Sequence, residues 1–207
     1  MTDRITLYSM PSSGNSYKLR LMLALLGRPY THVALEDGTP ELDRAKAQGL
    51  LPQGKLPALH LDDGTVLVES NAILWFLAQG SDWIPADPLD QARVLAWMFF
   101  EQNRHEPVIA GRASLRCYEN RRAQATPERM AELLESGHAL LAILDQGLAG
   151  RDWLVGHAPS LADIALYAYT HSAGSRGGFD MARFPNIAAW CVRMAALPGH
   201  IELDHIP

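Results

Sequence analysis

Cysteine is scarce: the 207 residues hold only Cys117 and Cys191. Two thiols cannot staple a disulfide scaffold, so a reduced, cytoplasmic protein is the expectation. A basic surplus is also missing. Lysine and arginine total 18 against 23 acidic residues, a net charge of −5. That balance excludes a strongly basic nucleic-acid surface and argues against binding to anionic membranes. The most apolar local run, Leu21 to Leu26, is far below the roughly 20 residues that span a bilayer. The opening Met1-Thr2-Asp3-Arg4 lacks the basic stretch and apolar core of a signal peptide. The 8 histidines show no His-Glu-x-x-His or other paired metal spacing, so no metal is expected. No Gly-x-Ser-x-Gly elbow occurs, which argues against a serine hydrolase. What remains is a globular composition, 48% hydrophobic and 20% charged. Such a chain buries a sizeable core in one or two domains.

The first 80 residues alternate short strand-like and helix-like segments. Arg4 to Tyr8 has period two and reads as a strand. Met10-Pro11-Ser12-Ser13-Gly14-Asn15 is a turn rich in breakers and N-cap residues. Leu19, Met22, Leu23 and Leu26 recur at helical spacing, and Gly27-Arg28-Pro29 stops that helix. Thr31 to Leu35 is a second strand, and Pro40 to Gly49 a short polar helix. Leu56 to Leu61 and Thr65 to Val68 flank Asp62-Asp63-Gly64, a hairpin signal. Ser70 opens a helix in which Ile73, Phe76 and Leu77 share a face. The order is βαβ followed by ββα. Residues 81–89 hold two prolines and read as a linker. Beyond it, Gln91 to Glu106, Pro127 to Leu148, Leu161 to Ala173 and Asn186 to Leu197 carry only helical periodicity. Ser160-Leu161-Ala162-Asp163 is a capping box that starts a buried helix. Gly174-Ser175-Arg176-Gly177-Gly178 reads as an interhelical turn. The fold class is α/β plus all-α, with domains over 1–80 and 90–207.

The turn after the first strand carries the chemistry. In a βαβ–ββα fold a thioredoxin-like protein places Cys-x-x-Cys there. Here no thiol is present, so dithiol exchange at this point is excluded. A serine hydroxyl at a helix N-terminus can instead donate to an anion, reinforced by the helix dipole and free amides. The natural anion is a ligand's thiolate, whose pKa such a donor lowers. Taken alone, Ser12, Ser13, Asn15 and Ser16 also serve as ordinary N-caps. Lys55-Leu56-Pro57 leads into a strand; a proline there marks an edge or kink. A cis bond before it would expose the Leu56 backbone to an extended peptide. Ser70 and the amides after it suit a carboxylate, and Glu69 suits an ammonium. A rigid turn and a plain N-cap are the alternatives for these two segments.

Together these segments resemble a glutathione transferase over nearly the whole chain. Leu7 to Leu21 is similar, without gaps, to the active-site loop of the zeta and tau classes, which puts Ser13 on the family's catalytic serine. Ser12 is adjacent, but only Ser13 gives the gapless match. Lys55-Leu56-Pro57-Ala58-Leu59 resembles the segment with the family's cis-proline. Glu69-Ser70-Asn71-Ala72-Ile73 resembles the segment that holds the γ-glutamyl group. The Ser160 capping box resembles that of the family's buried sixth helix. The chain departs from the pattern at Leu51-Pro52, where Asn-Pro is frequent, and at Gly14-Asn15, where bulkier pairs are common.

The resemblance implies glutathione as co-substrate and no metal. Leu56 would pair with the cysteinyl amide, Glu69 and Ser70 with the γ-glutamyl end, and Lys55 with the glycyl carboxylate. Ser13 would donate to sulfur, since a serine hydroxyl is too weak a base to remove its proton at neutral pH. The electrophile site would draw on Met10 and Pro11 and, from the helical domain, on Phe100 and Arg104. The reaction implied is conjugation of glutathione to small, mostly apolar electrophiles, in keeping with a detoxification role. One alternative is a glutathione-dependent isomerase of maleylacetoacetate type, for which Arg176 is the nearest arginine. The other is a non-catalytic protein that binds glutathione or apolar ligands. A homodimer is also implied, with neither nucleic acid nor membrane as partner.

Overall fold

Alternation at the start of the chain builds a small mixed sheet. In the computed structural model, which describes residues 5–206, β1 (Ile5–Ser9) buries every second residue. This is the signature of a strand with one face on a core. Arg4, expected to open β1, lies outside the described residues. α1 (Gly14–Leu25) returns the chain so that β2 (Thr31–Ala34) pairs parallel to β1. α2 (Pro40–Ala47) starts at Thr39, whose hydroxyl accepts the Leu42 N–H. β3 (Ala58–Leu61) and β4 (Val66–Leu67) form the expected hairpin, and β3 lies antiparallel to β1. The sheet order is β2-β1-β3-β4. α3 (Ser70–Leu77) packs on α1. The result is a thioredoxin-like unit. Ile5, Leu7, Leu19, Met22, Leu23, Ile73 and Leu77 are buried in it. Leu35, Leu42, Ala45, Leu51 and Ala58 make a second cluster.

Phe76 departs from the expected buried face of α3. It is 39% exposed, while Leu74 is fully buried. Leu77 follows Ile73 by four residues and Leu74 stands beside it, so Phe76 falls at the edge of the stripe. Leu56 and Pro57 precede β3 rather than opening it, consistent with a proline that has no N–H for a ladder.

The second unit is helical: α4 (Pro88–Phe100), α5 (Glu106–Cys117), α6 (Pro127–Gly147), α7 (Leu161–Thr170) and α8 (Pro185–Ala195). Its described residues include no strand. Pro88 and Leu89, expected in the linker, form the first turn of α4. The Asp87 carboxylate caps it by accepting the Asp90 N–H, and proline suits a first helical turn. The helix expected to stop at Glu106 instead runs on to Cys117 through a π turn at Glu101–His105. Pro107 explains both the expectation and the turn. It offers no N–H and its ring crowds the preceding turn, and a local π turn relieves that conflict. The glycine-rich segment forms a second π turn, Ala173–Gly177.

α7 is buried on nearly every side. Its capping box forms as expected, with Asp163 accepting from the Ser160 N–H (2.9 Å) and hydroxyl (3.0 Å).

The chain divides into two compact units, and the stretch beyond residue 196 returns to the first of them. The stretch from Leu197 onward belongs to the first unit, and Ser81–Ala196 to the second. The cause is a pair of hydrogen bonds from α1. Tyr17 donates its hydroxyl to the Ile201 carbonyl (2.7 Å), and Arg20 donates to the Leu203 carbonyl (2.7 Å). Gly199, at φ +86°, lets the tail pass close: a Cβ there would stand 3.1 Å from the Ala24 carbonyl oxygen.

Candidate functional site

The turn between β1 and α1 closes on itself before the helix begins. The Met10 N–H donates to the Ser16 hydroxyl (2.9 Å), and the Ser13 N–H donates to the Met10 carbonyl (3.1 Å). Ser13 is the N-cap of α1, with extended backbone at φ −90° and ψ 130°. Its carbonyl accepts the Tyr17 N–H, but its half-buried hydroxyl makes no capping bond. That hydroxyl has no partner among the described residues. Ser12 differs: its hydroxyl donates to the Glu36 carboxylate at 2.5 Å. The first turn of α1 has no acidic side chain of its own.

A second helix N-terminus meets the first. The Ser70 hydroxyl, almost fully buried, donates to Asn15 Oδ1 (3.1 Å), and Lys18 Nζ donates to Asn71 Oδ1 (3.0 Å). These bonds tie the starts of α1 and α3 together, which places two sets of helix-end amides in one region. Glu69 caps α3 from an unusual position. It is exposed, and at φ +66° it is the single positive-φ residue other than glycine among the described residues. Such a backbone costs on the order of 1–3 kcal/mol and clusters at ligand-binding positions. Leu56–Pro57 is a cis peptide bond. Leu56 is half-buried, Pro57 buried and Lys55 exposed.

Behind the turn lies a buried cation. Arg20 is fully buried, and its guanidinium donates to Ser9 Oγ (3.2 Å), the Met10 carbonyl (3.4 Å) and the Pro11 carbonyl (2.9 Å). Burial lowers its pKa, opposed by Tyr30, Tyr17 and Glu36; arginine nevertheless keeps its charge. His32, in contact with Ser9 Oγ at 2.6 Å, is held below its usual value by burial and by the Arg20 charge.

The structure thus brings Ser13, Ser70 and Asn15 into one region of the first unit. Met10 and Pro11 are half-buried in the same turn. Phe100 and Arg104 belong to the second unit, where the Arg104 guanidinium stands 5.4 Å from the Phe100 ring centre. Sequence reasoning missed Lys18, Arg20, Glu36 and Asn71. A signal for Arg20 was present: Leu19, Leu21, Met22 and Leu23 surround it, and a cation inside an unbroken apolar run is a buried cation.

A four-stranded thioredoxin-like unit with two helix N-termini tied together, followed by an all-helical unit, is a recognisable two-part architecture. Family comparison agrees. Residues 12–79 match the glutathione S-transferase N-terminal domain and residues 108–198 the glutathione S-transferase C-terminal domain. The chain is 30% identical over 205 residues to the glutathione S-transferase-like protein LUC7 of Fusarium sp., covering 90% of this chain and 86% of that protein. A glutathione S-transferase structure from Pseudomonas fluorescens superposes with a TM-score of 0.90 at 42% identity, covering 96% of this chain and 98% of that one. The transcriptional regulator URE2 of Saccharomyces cerevisiae is 26% identical over 95% of this chain, which spans 66% of that protein's length. Ure2p solved in complex with glutathione shares the fold, with a TM-score of 0.83 at 24% identity over 94% of this chain and 95% of that one. This chain belongs to the glutathione S-transferase family.

Proposed function

We propose that the protein is a glutathione transferase of the serine type, which binds glutathione in the first unit and conjugates it to small electrophiles. The observation that carries this reading is the contrast between neighbouring serines. Ser12 is occupied by Glu36, whereas Ser13 offers an unengaged hydroxyl at the positive end of α1. A hydroxyl donating to a bound sulfur favours the thiolate over the thiol and so lowers the thiol's pKa. Glu69 and Ser70 would receive the γ-glutamyl ammonium and carboxylate. The Leu56 backbone would pair with the cysteinyl amide, and Lys55 would face the glycyl carboxylate. The thiolate then attacks an electrophilic carbon, with orientation supplying much of the acceleration. Met10, Pro11, Phe100 and Arg104 are the candidate contacts for the electrophile. A homodimer belongs to the same reading; Leu95 and Phe99 leave apolar surface on α4, Phe99 at 63% exposure.

Ser13→Ala is expected to preserve glutathione affinity, raise the pKa of the bound thiol, and lower kcat with chlorodinitrobenzene about 100-fold, the effect of losing one donor to a developing anion. Ser12→Ala should leave the thiol titration in place. Thiolate absorbance measured across pH reads both variants. An unmoved titration in Ser13→Ala removes Ser13 from this role.

The similarity to URE2 favours a second reading, a binding protein that holds glutathione without turnover. Tight glutathione binding with no conjugation or isomerisation across a panel of electrophiles would select it.

A further inference from the structure

Arg20 is a costly residue for its location. It is fully buried, and none of its four hydrogen-bond acceptors is a carboxylate: they are the Ser9 hydroxyl and the carbonyls of Met10, Pro11 and Leu203. A buried charge with no carboxylate bonded to it is expensive, and Glu36 acts on this one only through space. The arginine fork returns one thing a neutral side chain cannot, several donors fixed in one plane. Those donors reach the backbone on both sides of a gap. On one side stand the two residues that lead into Ser12 and Ser13. On the other stands the returning tail, 183 residues away in sequence.

The link to Ser13 is direct. The Met10 carbonyl accepts from Arg20 at 3.4 Å and from the Ser13 N–H at 3.1 Å. One oxygen therefore joins the guanidinium to the backbone of the proposed thiolate donor. The Met10 N–H is held as well, by Ser16 Oγ, so the peptide groups on both sides of Met10 are fixed. The tail has a second anchor in Tyr17, fully buried, whose hydroxyl donates to the Ile201 carbonyl and contacts His200 Nε2 at 3.4 Å. Glu36, His32, Tyr17 and Tyr30 are the titratable groups that sense the Arg20 charge or act on it.

We propose that Arg20 is a positioning residue for the Ser13 hydroxyl: it clamps the Met10–Pro11 backbone to the tail at Leu203, so that residues 200–203 help to set the geometry of sulfur activation. The inference rests on the reading of Ser13 given above. It predicts that loosening the clamp displaces the hydroxyl from the sulfur without removing it.

The test uses the full chain carrying Arg20→Lys, and separately Tyr17→Phe, each alone and combined with Ser13→Ala. Lysine keeps the charge and loses the fork. In Arg20→Lys the bound thiol's pKa should rise and kcat fall about tenfold, while KM for glutathione moves by less than about threefold. Tyr17→Phe, which removes the hydroxyl that holds the Ile201 carbonyl and contacts His200 but keeps the ring, should shift the titration in the same direction by less. In the Ser13→Ala background neither substitution should move the titration further, because the group being positioned is gone. A fall in melting temperature with an unchanged thiol titration in both variants would reduce Arg20 to a fold-support residue and overturn the proposal. If Arg20→Lys does not fold, Tyr17→Phe decides alone. A titration that moves with Ser13→Ala but not with the clamp variants rejects the clamp only; one that ignores Ser13→Ala rejects both.

Discussion

Of two adjacent serines of identical chemistry, Ser12 is bonded to Glu36 while the Ser13 hydroxyl makes no capping bond, and that difference is invisible to spacing. The gapless match singles out Ser13, and the paired Glu69-Ser70 and the proline at 57 are legible from type and order alone. Glu36 is not, because its partnership with Ser12 depends on how β2 leads into the loop beyond it. Arg20 is harder still, since its neighbours suggest burial but nothing local names the carbonyls it serves. The two cysteines divide in the same way. Cys191 is largely enclosed, and burial pushes its thiol up to about 12, whereas Cys117 is exposed. A thiol-specific disulfide reagent at mildly alkaline pH should therefore modify Cys117 alone in the folded protein and both cysteines after denaturation. Modification of Cys191 in native Cys117→Ser protein would contradict this assignment.

At the scale of elements, the strongest local signal was the capping box, and its reach exceeds what four residues announce. Asp163 accepts the Ser160 N–H and hydroxyl, but also the Leu154 N–H (3.1 Å) and the indole N–H of the fully buried Trp190 (3.0 Å). Burial raises the carboxyl's pKa while these donors pull it down. Asp163→Ala would strand several buried donors, each costing about 1–3 kcal/mol. A loss of about 3 kcal/mol or more in urea unfolding is expected; less than about 1 kcal/mol would show that water replaces the carboxylate. The long helix from Pro88 to Cys117 is the least legible element in the sequence. Its periodicity is broken at Glu101–His105 because a π turn shifts the register, so a fixed-period template sees two helices or loses the second.

For the whole molecule, pH is the accessible handle. His32, His138 and His200 all have pKa values lowered from 6.5, in each case chiefly by burial. The folded state then binds fewer protons than the unfolded chain. Stability is complete above 6.5 and is lost as pH falls through the depressed values. Melting temperature should decline between about pH 7 and pH 5, and His32→Gln should flatten part of that slope. A flat profile, or one rising toward acid, would contradict the sign. The sheet and the division into a mixed and a helical part are readable at this scale because each is encoded locally. The return of the tail is not, since it depends on contacts between distant parts of the chain. That return has a bearing on biosynthesis. A ribosome makes Tyr17 and Arg20 early and the carbonyls they grip only after 183 or more further residues. The half of the protein translated first thus acquires its final fastening after the helical half has been made, and its maturation awaits the tail's emergence from the exit tunnel.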